Sequence, residues 1–218
     1  MGNDQSSERM AIDAMADSLS ITKRQLIELR DAALVYASDA GPASPGIGLQ
    51  GRLGRSCSPL ISRRDFHIAC AEVGILEAAD AEILDKLFTM FDEEGEDRIE
   101  LIPLVVGITP LASFRDAAYK LILAFEVHDL NRTGFLTFGD LIDVLFAINA
   151  TASYLGDPTL TDSQLSMIAK DTFQFSGDKP LLYANPVAGS ALDRVISHPL
   201  VQIFIQGKGT ERYCPPAQ

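Results

Sequence analysis

One twelve-residue stretch, Asp129-Leu-Asn131-Arg-Thr133-Gly134-Phe135-Leu136-Thr137-Phe-Gly-Asp140, carries oxygen atoms at the intervals a hard cation needs. With Asp129 as position 1, side-chain oxygens fall at positions 1, 3, 5, 9 and 12, and the Phe135 carbonyl falls at position 7. Oxygens converge from so short a loop only through a sharp left-handed turn, and Gly134 stands where glycine makes that turn without a Cβ penalty. Leu136, at position 8, is apolar and suits a residue that pairs with a second loop across a short β-bridge. The expected metal ligands are Asp129, Asn131, Thr133, the Phe135 carbonyl and Asp140, with Thr137 acting directly or through water. Only two of these are carboxylates, and Asp140 is one methylene shorter than the usual glutamate. One bound oxygen from Asp140 suits the octahedral shell of Mg2+ and weakens the larger shell of Ca2+, so the expected calcium affinity is roughly 10⁻⁵ M or poorer. An empty loop held shut by packing is the competing reading.

Elements on both sides must hold this loop. Before it, Phe114, Ala118, Leu121, Ile122 and Phe125 recur at three- and four-residue spacing, and after it Phe138, Leu141, Ile142, Leu145 and Phe146 do the same. Ser113 with Asp116 has the spacing of a helix N-cap. Helix, ligand loop and helix together make an EF-hand. The predicted fold class is therefore all-α, and the predicted role is that of a sensor, regulator or scaffold rather than an enzyme.

Three further units of the same kind are predicted, mostly with degenerate loops. Thr22 and Gln25 match a capping box that starts a helix running to about Ala37. Residues 39–58 are rich in glycine, proline and serine and read as an expanded loop, after which Leu60-Ile61-Ser62 leads into a helix bearing Phe66, Ile68, Ala69 and Val73. In the second unit Ile83, Leu84, Leu87, Phe88 and Phe91 form an incoming face, and Asp92 opens a loop with Ile99 at the bridge position. Asp97 replaces glycine at position 6, and Pro103 brings no ligand to position 12, so this loop is expected to be metal-free. From Ile99 to Leu136 is a weak repeat interval. In the fourth unit Thr161 and Gln164 cap a helix with Leu165, Ile168, Ala169 and Phe173. Leu181 then takes the bridge position, Lys179-Pro180 breaks the loop, and residues 188–196 form the exit helix. The organisation read from this is a flexible tail (1–17), an N-terminal pair of hands (18–110), a C-terminal pair (111–206) and a short C-terminal tail (207–218).

Composition narrows the function classes. A formal charge of −12 over 218 residues argues against nucleic acid and anionic lipid, and suits basic or amphipathic protein partners. Cys57, Cys70 and Cys214 show no metal spacing or disulfide framework, which points to a reducing cytoplasm. The first twenty residues lack the apolar core of a secretory signal, and the longest apolar run, residues 101–112, is too short to span a bilayer and contains Pro103 and Pro110. No transmembrane segment is expected. His67, His128 and His198 are dispersed, residues 207–210 only superficially match a phosphate loop, and Gly189-Ser190-Ala191 lacks the second glycine of a nucleophile elbow. A positive mean hydropathy with 47% hydrophobic residues suits apolar grooves covered by a partner.

Three segments, Ile61-Ser-Arg-Arg-Asp-Phe66, Leu87-Phe-Thr-Met-Phe-Asp92 and Phe125-Glu-Val-His-Asp-Leu-Asn131 followed by Gly134-Phe-Leu136, carry a family resemblance. Residues 61–145 resemble calaxin-like axonemal EF-hand proteins of the neuronal-calcium-sensor and calcineurin-B-like superfamily. The resemblance implies a calcium-responsive or structural component of the ciliary or flagellar axoneme, docked on doublet microtubules and linked to dynein-docking proteins. This chain departs from the family in having one good ligand loop rather than two or three. The alternative reading is a calcineurin-B-like calcium-dependent regulatory subunit of a cytosolic enzyme. Met1-Gly2-Asn-Asp-Gln-Ser6 fits N-myristoylation at Gly2. One acyl chain gives only marginal membrane binding, so the lipid is expected to fill an apolar groove.

Overall fold

The computed structural model of the chain describes residues 12, 15–16, 19–38, 58–75, 78–113, 117–174, 179–183, 191–199 and 201. Its elements run in the order α1 (Lys23–Tyr36), β1 (Leu60–Ser62), α2 (Arg63–Glu72), α3 (Ala78–Phe91), β2 (Arg98–Glu100), α4 (Leu101–Ile108), a 3₁₀ turn (Thr109–Leu111), α5 (Ala117–His128), β3 (Phe135–Leu136), α6 (Phe138–Leu155), α7 (Asp162–Phe173), β4 (Leu181–Leu182) and α8 (Ala191–Ser197). The pattern helix, short strand, helix occurs four times. The architecture is an all-α, EF-hand-like one.

Local chemistry explains where the helices begin. Thr22 and Gln25 form the reciprocal capping box of α1, and Thr161 and Gln164 form that of α7. Ser62 ends β1 and caps α2 through the Asp65 amide. Helix α6 stops at Gly156, whose φ of 80° is the left-handed conformation that glycine adopts cheaply. Asn149 then bonds both the amide and the carbonyl of Leu160, fixing the turn into α7.

The strands join the units in pairs. β1 runs antiparallel to β2 with Ile61 opposite Ile99, and β3 runs antiparallel to β4 with Leu136 opposite Leu181. Ile99, Leu136 and Leu181 are the bridge residues that the loop register singles out. In the first unit Ser38 pairs with Leu60 by two backbone bonds of 2.9 Å, closing the base of the long insertion. The insertion at 39–57, the Asp116 cap, Gly2 and the segment 207–218 lie outside the described residues.

One continuous core unites the pairs. Phe66 and Phe88 pack at 5.8 Å in the N-terminal pair, and Phe138 meets Phe173 edge-on at 5.8 Å in the C-terminal pair. Every residue of α4 except Pro103 is buried, and this helix packs against α6. Helix α6 is long and apolar enough to cross a membrane by length and composition alone, yet Leu141, Ile142, Val144, Leu145 and Ala152 are buried in this core. The expected flexible tail of residues 1–17 needs a correction at its end. Ile12 and Ala16 are helical and buried, and the Ile12 amide donates to Asp157 Oδ2 at 2.8 Å. Met15 and Leu19 of the same segment also pack on the core.

Candidate metal centre

Helix α5 delivers Asp129, and α6 begins immediately after Thr137, so the 129–140 loop is held at both ends by buried helices. Inside it the Asp129 carboxylate organises the turn. Its Oδ2 accepts the Gly134 amide at 2.7 Å and the Tyr183 hydroxyl at 3.0 Å, while the Thr133 hydroxyl lies 3.2 Å from both oxygens. The Arg132 amide closes on the Asp129 carbonyl at 3.1 Å. Arg132 and Gly134, at loop positions 4 and 6, have φ of 52° and 74°. Burial raises the Asp129 carboxyl, but the donors from Gly134, Thr133 and Tyr183 outweigh it and hold the group below its ordinary value.

Asp140 is placed by a different device. Its Oδ2 accepts both the amide and the hydroxyl of Thr137 at 2.7 Å, making a capping box at the start of α6. Its Oδ1 is 3.9 Å from His128 Nδ1, and His128 Nε2 is 4.0 Å from Asp143 Oδ2. Asp129, Asn131, Thr133, Phe135, Thr137 and Asp140, all six sequence-predicted positions, line one open cleft of about 870 Å³. Glu100, Ile102 and Pro103 form the opposite wall, so the cleft lies between the third hand and the start of α4.

The donor set is made of hard oxygens, which fits a cation such as Ca2+ or Mg2+ and excludes a soft-metal preference. Among the described residues, no three His, Cys, Asp or Glu side chains gather closely enough to hold a metal between them. Any cation in this loop would therefore lean on Thr, Asn and carbonyl oxygens beside its two carboxylates.

The second hand keeps the backbone of the third and changes what fills it. Asp92 receives the amides of Glu96 and Asp97, each at 3.0 Å, just as Asp129 receives Gly134. Gly95 and Asp97, again at positions 4 and 6, have φ of 70° and 57°. The loss of glycine at position 6 does not remove the turn, because aspartate tolerates the left-handed region better than most residues. The difference is Arg63, the first residue of α2. Its guanidinium lies 2.9 Å from Asp85 Oδ1, 2.5 Å from Asp97 Oδ1 and 3.9 Å from Asp92 Oδ2, and it stacks 4.5 Å above the Phe88 ring. A protein cation thus serves the acidic groups of this loop. Neither Arg63 nor Tyr183 is singled out by the loop pattern, since each comes from the partnering hand. The signal was the bridge register: Arg63 lies just beyond β1, and Tyr183 just beyond β4.

Helix α1 also reaches the third hand. Arg30 is buried and donates to the Glu126 carbonyl at 2.8 Å, while Lys23 pairs with Glu126 and Asp31 with Arg132.

Fold and loop geometry together define an EF-hand-like helical protein with two pairs of helix–loop–helix units. The chain is similar to the type 2 form of calcineurin B from Rattus norvegicus, with 25% identity over 95 residues, 43% of this chain and 54% of that protein. The Homo sapiens protein of the same name is 23% identical over 122 residues, 56% of this chain and 68% of its own length. The chain spans about half the length of the rat relative. No protein-family profile matches the chain, and no solved structure does.

Proposed function

We propose that this protein is a non-catalytic EF-hand subunit that works by holding other proteins, with one weak cation site at Asp129, Asn131, Thr133, the Phe135 carbonyl, Thr137 and Asp140. The observation that carries the reading is the contrast between the two loops. They share one backbone, but loop 92–103 has a guanidinium beside its carboxylates, whereas loop 129–140 opens its oxygens to a cleft. When a cation binds, it draws the Thr133 and Asn131 oxygens toward Asp129. Thr137 and Asp140 pass that change to the start of α6, because they cap it.

The setting we favour is the ciliary or flagellar axoneme, with docking on doublet microtubules or dynein-docking proteins. It is supported by the resemblance of residues 61–145 to calaxin-like proteins. The second reading, a calcineurin-B-like regulatory subunit of a cytosolic enzyme, is favoured by the similarity to calcineurin B. N-myristoylation of Gly2 fits either setting, and intact-mass measurement of the native protein tests it.

Detergent extraction of ciliated cells expressing a tagged copy separates the two. Retention of the protein on the stripped axoneme supports the first reading, and its complete release with the soluble fraction overturns it.

A further inference from the structure

We propose that Tyr183 is the outer-sphere positioning residue of the 129–140 cation site and ties its occupancy to the fourth hand. The proposal rests on the reading of that loop as a cation site. Tyr183 lies immediately after β4, and its amide donates to the Gly134 carbonyl at 3.1 Å, so backbone pairing brings it against the neighbouring loop. Its side chain is buried and its ring packs on Phe125 at 5.7 Å, which leaves the hydroxyl one direction to point. That direction is Asp129 Oδ2, at 3.0 Å.

The consequence follows from which oxygen is engaged. Oδ2 takes both the Gly134 amide and the Tyr183 hydroxyl, so two donors on one oxygen fix the plane of the carboxylate. The Thr133 hydroxyl, itself an expected ligand, lies 3.2 Å from Oδ1 and from Oδ2 alike. A cation entering the loop meets Oδ1 already aimed and needs only the Thr133 hydroxyl to turn. Tyr183 therefore acts through Asp129, as the outer hydrogen-bond partners of metal ligands do, and removing such a partner commonly weakens binding ten- to a hundredfold. Movement of Asp129 in turn pulls on β4, in the loop of the fourth hand.

The test uses the full-length chain and Tb3+, a hard-oxygen-seeking probe whose emission is sensitised by a nearby tyrosine. The chain contains no tryptophan, so excitation in the tyrosine band, beyond phenylalanine absorption, reports tyrosine alone. Wild-type protein should show sensitised Tb3+ emission that Ca2+ competes away. Tyr183→Phe retains the ring on Phe125, and circular dichroism in chelator checks that it folds. It should lose most of the sensitised emission and bind Tb3+ and Ca2+ roughly tenfold more weakly. Tyr119→Phe, at an exposed position on α5, should change neither. Unchanged affinity in Tyr183→Phe overturns the proposal while leaving the cation site standing. Failure of the wild type to bind Tb3+ under direct excitation removes the site, and the proposal with it.

Discussion

The Thr151 hydroxyl donates to the Gly107 carbonyl at 2.7 Å, and this buried bond joins α6 to α4. It crosses from one pair of hands to the other. The approach is close because Gly107 has no side chain: a Cβ there would lie 2.5 Å from the tip of the Phe91 ring and 3.0 Å from Thr151 Oγ1. Apolar faces of α4 and α6 thus cover each other, with this buried polar contact between the helices.

Thr151→Val keeps the shape of this junction and deletes its hydroxyl. The Gly107 carbonyl then loses a buried donor, which costs about 1–3 kcal/mol. Urea unfolding should show a lower midpoint with an unchanged slope. An unaltered midpoint would mean that the bond contributes nothing.

Arg63 acts as the internal counter-ion of the second hand, so Arg63→Gln should destabilise the fold by about 1 kcal/mol, the upper range for partly exposed pairs. Exposure of Asp97 and Asp85 sets that modest size. Because salt screens such charges, the difference between variant and wild type should shrink in 1 M NaCl, where the Debye length falls to about 3 Å. A thermal-denaturation gap that persists undiminished in high salt would assign the effect to Arg63 packing on Phe88 instead.

Asp140 both caps α6 and closes the candidate site, and with Oδ2 held by Thr137 its short side chain offers a cation one oxygen. Asp140→Glu retains a capping-box carboxylate and adds the reach for bidentate ligation. Calcium affinity by isothermal titration should rise at least about tenfold, since a glutamate at position 12 is the usual closing ligand. Thr137→Ala should cost about 1 kcal/mol of stability through loss of the N-cap. Equal calcium affinity for Asp140→Glu and wild type would count against the proposed ligand set.

Cys70 is fully buried on α2, and burial pushes its thiol up to about 12. The unfolded thiol ionises near its ordinary value of about 8.5, so between these values the unfolded state holds fewer protons. Stability should therefore be intact below about pH 8.5 and fall as pH rises above it. In a Cys57→Ser, Cys214→Ser background, Cys70 should react with a thiol reagent at the rate of unfolding. Immediate labelling at neutral pH would place it at the surface.

Much of this molecule was legible in one dimension because its determinants are local. Capping boxes at Thr22 and Thr161 act within three residues, and helical periodicity names the buried faces. The twelve-residue spacing identifies Asp129 to Asp140 and sets Ile99, Leu136 and Leu181 at bridge positions, where they are found. The second loop's missing glycine at position 6 and missing ligand at position 12 were visible too, in Asp97 and Pro103. What fills that loop was not. Arg63 reaches Asp97 only because β1 pairs with β2, and Tyr183 reaches Asp129 only because β4 pairs with β3. Likewise, Asp140 could be read as a ligand from spacing, whereas its bonds to Thr137 depend on the rotamer it takes at the helix start. The apolar run at α4 and the helical periodicity of α6 show that each has apolar surface to bury, but not what covers it. Tertiary packing decided that they cover each other, because a pairwise fit between distant segments depends on shape and approach, and Gly107 sets the approach.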